Sequence, residues 1–286
     1  MRIRGESIAV DGSRDEGSVA RVGVVTPTLD AERFLEATLH SIWSQKSASL
    51  DIDHVIVDGG STDRTLEIAK AFPSRIVVST DDQGMYDAVN RGMAMVNGDI
   101  VGYINADDEI APGALALVAG TFRSNPAVGW VCGRVEYIDE HGDTLGTMTP
   151  VRLSLRSYLG LGWSCIPQQT VWARRTFYDL VGSFDIDYKN CGDYDWYARA
   201  MRLEHPRILE ETIGRFRLHP GQISLDPEKM ARESRMVQER HGSRDAVGFV
   251  LGKVLSLRLN AANPGWLIAK KTGRISFKPP DDVRSH

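Results

Sequence analysis

Six short stretches of this sequence concentrate side chains able to do chemistry, most of them where an apolar run ends. Thr26-Pro27-Thr28 closes the run RVGVVT, and Asp58-Gly59-Gly60-Ser61 closes HVIVD. A carboxylate at Asp58 can accept hydrogen bonds from a base or a ribose, and Gly59 and Gly60 leave space for one. Asn105-Ala106-Asp107-Asp108 follows Ile100–Ile104. Adjacent carboxylates at a strand end invite a hard divalent cation, which takes oxygen ligands and keeps positions for phosphates. Asp108 and Glu109 ahead of Pro112-Gly113 could instead complement a helix dipole. DQGMYDAVNRG, with Asp82, Asp87 and Asn90, sets small and polar residues before a helix. Gly192-Asp193-Tyr194-Asp195-Trp196 places carboxylates among aromatics, as a base or a hydroxyl-rich ligand would want. His219, before Pro220, suits a turn as well as a ligand shell.

The elements that must position these groups follow a strand–helix rhythm. Strands are expected at Arg21–Thr26, His54–Val57, Arg75–Ser79 and Asp99–Ile104. Helices are expected at Ala31–Gln45 with Asp30 as N-cap, then at Asp63–Phe72, Met85–Val96 and Pro112–Phe122. The strands are short and nearly all apolar, as both-face burial in a parallel, doubly wound sheet requires. Such sheets bind ligands outside the carboxyl ends of their strands, where the polar stretches fall. The first turn reads TPTLD rather than GxGxxG, which disfavours a dinucleotide oxidoreductase, and no GxxxxGK[ST] loop occurs.

After Pro126 the rhythm changes. Val128–Ile138 and Thr144–Thr149 read as a hairpin around DEHGD, Gln169–Ala173 and Thr212–Leu218 as strands, and Asp193–Leu203 as a helix. The expected organisation is a polar leader (1–20) with an edge strand at Ser7–Val10, and an α/β domain at 21–224. That domain has a nucleotide-type half (about 21–110) and a mixed half (about 111–224), and a helical extension at 225–286 follows it.

The chain has 286 residues, 42% hydrophobic and 25% charged, enough to bury a core without staples. A net charge of −4 gives no global basic field for nucleic acid. Cys132, Cys165 and Cys191 are too far apart for a CxxC site and read as buried, reduced thiols. The N-terminus lacks the apolar core of a signal peptide, and no apolar run reaches the roughly 18 residues of a membrane span. Ser243 to His286 holds eight basic and three acidic residues. It also carries a strongly apolar helix candidate around Val247–Leu259, then Trp266-Leu267-Ile268 beside Lys270-Lys271. Basic residues beside apolar and Trp side chains suit an interfacial helix on an anionic leaflet; packing back onto the domain is the alternative.

VVTPTLDAERFLEATLHSIWSQ, HVIVDGGSTDRT, DQGMYDAVNRG, YINADDEIAPGAL, QQTVWARRTFYDLVGSFD, GDYDWYARA and FRLHPGQIS, in that order, resemble the family 2 glycosyltransferases, in particular the bacterial exopolysaccharide and lipopolysaccharide branch. The resemblance covers roughly Arg21 to Ser224. It implies a GT-A fold, a nucleotide-diphosphate sugar donor, Mn²⁺ or Mg²⁺, and inversion at the anomeric carbon. By the same resemblance Thr26, Pro27, Thr28, Asp58, Gly60, Asp82, Asp87, Asn90 and Asn105 surround the donor. Asn105-Ala106-Asp107 stands where the family has its DxD motif, with Asp107 as metal ligand, Asp108 assisting, and His219 approaching the metal or diphosphate. Val89 stands where the family often has an arginine. Gly192-Asp193 replaces the family's Glu-Asp pair, so Asp193 inherits the role of catalytic base, with Asp195 as the fallback. The acceptor is expected to be a carbohydrate or lipid-linked hydroxyl. The expected location is the cytoplasm, with peripheral contact on the inner face of the membrane through the extension. Two other readings are a nucleotide-sugar-binding GT-A module without transfer activity and a nucleotidyltransferase. The second would want a Gly- and Lys/Arg-rich loop that TPTLDAERF does not supply.

Overall fold

The computed structural model describes residues 19–222, 226–242 and 246–277. The expected leader strand at Ser7–Val10 lies outside them. Four strands run parallel in the order β3-β2-β1-β4: β1 (Ala20–Thr28), β2 (Leu50–Asp58), β3 (Arg75–Val78) and β4 (Ile100–Tyr103). Three helices make the crossovers: α1 (Leu35–Trp43), α2 (Thr65–Ala69) and α3 (Met85–Met95). Because strand side chains alternate, Val25, Val55, Val57 and Val101 face α3, while Val22, Val24, Ile52 and Ile100 face the opposite layer, where Ile42 of α1 packs. Gly92 lets α3 lie close on β1: a Cβ there would stand 2.4 Å from Val25.

Asp30 is not the N-cap of α1. Its φ is +45°, and its Oδ1 accepts the Thr62 N–H at 2.8 Å, so it ties the β1 loop to the β2 loop. A turn then delays the helix to Leu35.

The second half adds β5 (Glu109–Ile110), α4 (Ala114–Ser124), β6 (Trp130–Ile138), β7 (Thr144–Met148), α5 (Leu155–Leu161), β8 (Trp172–Arg174), α6 (Arg175–Val181), α7 (Gly192–Leu203) and β9 (Arg207–Arg217). β8 bridges β4 to β6 antiparallel, β9 runs parallel to β6, and β5 closes that edge. β7 pairs with the far end of β6, as the hairpin reading required. Gln168–Thr170 is a 3₁₀ turn rather than the start of a strand, which swings its two glutamines toward β4. The result is a mostly parallel sheet with a mixed second half, as expected from the sequence. All three cysteines are free and buried.

The extension is helical: α8 (Pro227–Arg240), α9 (Ala246–Ala262) and α10 (Pro264–Lys271). It packs back on the domain. Gly160 of α5 meets Gly248 and Gly252 of α9 so closely that a Cβ on Gly160 would lie 1.8 Å from the Gly248 carbonyl oxygen. Asn263, between α9 and α10, exchanges two hydrogen bonds with the Thr149 backbone, at 2.7 and 2.9 Å.

Candidate active site

A cleft of about 1170 Å³ opens across the carboxyl ends of β1, β2 and β4 and is closed on its far side by α7, β9 and α10. A second recess, beside Arg21, Asp51 and Asp99, sits at the amino ends of the strands, where open α/β sheets do not bind ligands.

Of the expected donor-site residues, Pro27, Thr28, Asp82, Asn105 and Asp107 line the cleft, together with Asp193 and His219 from the second half. The others have different work. Thr26 is fully buried and bonded to the His54 ring at 2.9 Å. Asp58 is also fully buried; it accepts from the Thr28 hydroxyl, the Gly60 and Ser61 N–H groups and the Ser61 hydroxyl. It therefore shapes the loop that presents Gly59 and Thr28, and Gly60 (φ +93°) supplies the turn. Asp87 accepts from the Gln83 N–H and pairs with Arg91. Asn90 is clamped to the Phe184 backbone through both ends of its amide, at 2.8 and 2.9 Å.

Adjacent carboxylates diverge at the end of β4. Asp107 reaches the cleft, and its Oδ2 lies 3.0 Å from His219 Nε2. Asp108 turns inward to full burial, accepting from the Arg217 N–H and from the Gln169 and Asn105 amides. Burial, reinforced by the neighbouring Asp107 charge, pushes its pKa well up. Asp108 is a clasp between β4 and β9, which removes it from the set of metal ligands. Arg217, almost fully buried, supports the same corner: its Nε donates to the Asp107 carbonyl at 3.0 Å.

Among the described residues, Asp107 and His219 bring a carboxylate and an imidazole to this corner, and no group of three or more His, Cys, Asp or Glu that could hold a metal ion is found. The pair still fits a cation shared with a diphosphate. Asn105 Oδ1 is buried without a partner beside them. The His219 Nδ1 faces the Pro220 carbonyl at 2.9 Å, which fixes its proton there and leaves Nε2 for a ligand. Burial works against the charged ring, but the Asp107 and Pro220 bonds outweigh it and raise its pKa above the usual histidine value.

The two carboxylates at the start of α7 point in opposite directions, as residues two apart on a helix must. Asp193 lines the cleft; its Oδ1 accepts from the Tyr194 N–H at 2.7 Å and the Tyr86 hydroxyl at 3.3 Å. Burial pushes its pKa up to about 6, against these bonds. Asp195 is fully buried away from the cleft, bonded to Arg199 at 2.8 Å and His241 at 3.0 Å. That geometry withdraws it as a fallback base.

Several contributors carried no recognisable sequence signal. Glu233 of α8 accepts the N–H groups of Lys189, Asn190 and Cys191, fixing the turn that launches α7. Phe34 packs on His219 with ring centroids 4.6 Å apart. Trp266 and Lys270 of α10 did stand out in the sequence, as part of an apolar and basic segment, but not as the part of the cleft wall that they form.

A model of the family described as "Glycosyl transferase family 2" matches residues 23–200. A PGL/p-HBAD biosynthesis glycosyltransferase from Mycobacterium tuberculosis is 31% identical over 184 residues, 62% of this chain and 68% of its own length. An uncharacterized glycosyltransferase from Nostoc sp. is 24% identical over 212 residues, 70% of this chain and 65% of its own. Among solved structures, S. aureus TarS 1-349 in complex with UDP-GlcNAc superposes with a TM-score of 0.59 at 15% identity, covering 87% of this chain and 79% of that one. This chain spans 44% of the longer TarS structure. The mannosyltransferase PcManGT from Pyrobaculum calidifontis, in complex with GDP-Man and Mn²⁺, gives 0.54 at 17% identity, covering 92% and 82%.

Proposed function

The chain belongs to glycosyltransferase family 2 and is a glycosyltransferase with a GT-A fold, and on that premise we propose that it transfers a sugar with inversion from a nucleoside diphosphate to an acceptor hydroxyl, using Asp193 as base. The observation that carries this reading is Asp193 itself, a carboxylate lining the cleft and raised to about 6 by burial. A base with that pKa is charged at neutral pH yet still basic enough to take a hydroxyl proton in the transition state.

The step is a single displacement. The acceptor oxygen bonds to the anomeric carbon on the face opposite the diphosphate, the bond to the diphosphate oxygen breaks, and the acceptor proton passes to Asp193. Thr28, Gly59 and Asp82 line the cleft and would take the nucleoside, and Asp107 and His219 would take the diphosphate. Those two residues would hold Mn²⁺ or Mg²⁺, which neutralises charge on the leaving group when bound. Arg217 and Asp108 fix the backbone beneath them. The acceptor is a carbohydrate or lipid-linked alcohol of surface polysaccharide or glycolipid assembly, seated on the side walled by Trp266 and Lys270.

A screen of UDP- and GDP-sugars with Mn²⁺, reading nucleoside diphosphate release and the anomeric configuration of the product, tests the reading. Inverted configuration is expected; a retained configuration, or release undiminished in Asp193→Asn, overturns it.

A further inference from the structure

α9 is apolar on two opposite sides. Gly248, Gly252, Leu255 and Leu259 are the buried stripe, packed toward α5. About half a turn away, Val247, Val250, Val254 and Leu257 form a second stripe at the same helical spacing, and nothing described covers it: Val250 is 58% exposed and Leu257 70%. Lys253 and Arg258 lie on the two flanks of that outer stripe, and on the next helix, α10, Ile268 is likewise uncovered, 61% exposed. Residues 246–277 hold five basic side chains and no acidic one, so a chain of net charge −4 is −9 over the rest.

An apolar stripe edged by cations on both sides matches a helix lying in the headgroup region of an anionic bilayer, its stripe among acyl chains and its long basic side chains reaching back to phosphates. The helix is 17 residues long, and no described helix is long and apolar enough to cross a membrane. A symmetric dimer through this stripe would set each basic flank near its own copy, which like-charge repulsion opposes. We propose that the outer face of α9 and α10 docks this protein on an anionic lipid surface. α10 then faces two ways: Ile268 outward to lipid, Trp266 and Lys270 inward to the cleft. The corollary that a lipid-linked acceptor enters past α10 rests on the transfer reading above; the docking itself does not.

The test is sedimentation of the full chain with vesicles of phosphatidylcholine alone or mixed with phosphatidylglycerol, at low and high salt. Binding is expected to the mixed vesicles at low salt and to fall as salt rises. Val250→Gln/Leu257→Gln, changed only at exposed positions, should bind roughly tenfold less or weaker still. Lys253→Gln/Arg258→Gln should lose most of the salt dependence. No sedimentation of the unaltered chain at low salt, or equal sedimentation of the Val250→Gln/Leu257→Gln variant, overturns the proposal. So does a dimer in size-exclusion chromatography that the Val250→Gln/Leu257→Gln change converts to monomer, which would assign the face to a second copy. Nucleotide binding measured on the same preparations keeps the two readings separable: it should not change between the chain and these variants.

Discussion

Asp193 and Asp195 share an environment in sequence and not in space, and their substitutions should separate accordingly. Asp193→Asn is expected to lower kcat by about 10²–10⁴-fold while leaving donor affinity within a few-fold, since it removes a proton acceptor and not a donor contact. In the unaltered enzyme kcat/KM should rise with pH through a limb near 6. The Tyr86 hydroxyl bond favours the charged carboxylate. Tyr86→Phe should therefore shift that limb upward, a displacement that a pH–rate profile reads directly. Stability should move the other way. A carboxyl whose folded pKa is raised holds its proton longer in the native state. Stability is full below the unfolded value of about 4 and declines as pH rises through about 6. Asp193→Asn should thus stabilise the fold at pH 7–8 by on the order of 1–3 kcal/mol, measured by urea unfolding.

At the scale of elements, α7 is held from behind and α9 is held by backbone contact. Burial of Asp195 opposes its charge, but the His241 and Arg199 bonds prevail and lower its pKa. Its contribution is present above the unfolded value of about 4 and is lost as pH falls through the lower folded value. Asp195→Asn leaves Arg199 and His241 facing a neutral partner in a buried site, a change that costs about 3–5 kcal/mol in comparable pairs. The expected outcome is a large fall in unfolding midpoint at neutral pH with near-normal kcat in the remaining folded enzyme. A kcat loss as large as that of Asp193→Asn would contradict it. Gly160→Val should wedge α5 from α9 at a cost of at least about 1–3 kcal/mol, because the new side chain meets backbone and not a yielding side chain. Limited proteolysis should then release the segment after Arg240. Acceptor KM should rise more than donor KM, because Trp266 and Lys270 belong to the extension.

For the molecule as a whole, the cleft lies between two halves that a donor would bridge, so binding should appear as global stabilisation. A ligand at 100 times its Kd adds about 2.7 kcal/mol. UDP with Mn²⁺ is expected to raise Tm by more than the sum of the two alone, because on the proposed reading the Asp107–His219 pair would need diphosphate oxygens to complete a coordination shell. Asp107→Ala should abolish the cooperative part while leaving the ligand-free Tm nearly unchanged, Asp107 being at the cleft surface. A cooperative shift that survives Asp107→Ala would remove the metal from this corner.

The sequence by itself determined the alternation of β1 through β4 and the helix α4 beyond it, though not the two-residue β5 between them, because each of those strands is a short apolar run and each helix an amphipathic one, signals that neighbours three or four residues apart are enough to set. It likewise placed polar groups at the strand ends, so the cleft was legible as a region. The orientation of particular side chains was decided only by tertiary structure. Asp107 and Asp108 are equivalent as text; β9 brings Arg217 to one of them and His219 to the other. Asn90 reads as a ligand contact until Phe184, 94 residues away, occupies its amide. α5 and α6 escaped notice because they are seven residues each and take their stability from partners distant in sequence. The extension could be read as apolar and basic, but not which apolar residues stay outside. Only the contact of Gly248 and Gly252 with Gly160 chooses the inward stripe of α9 and, by exclusion, leaves Val250 and Leu257 to the solvent side.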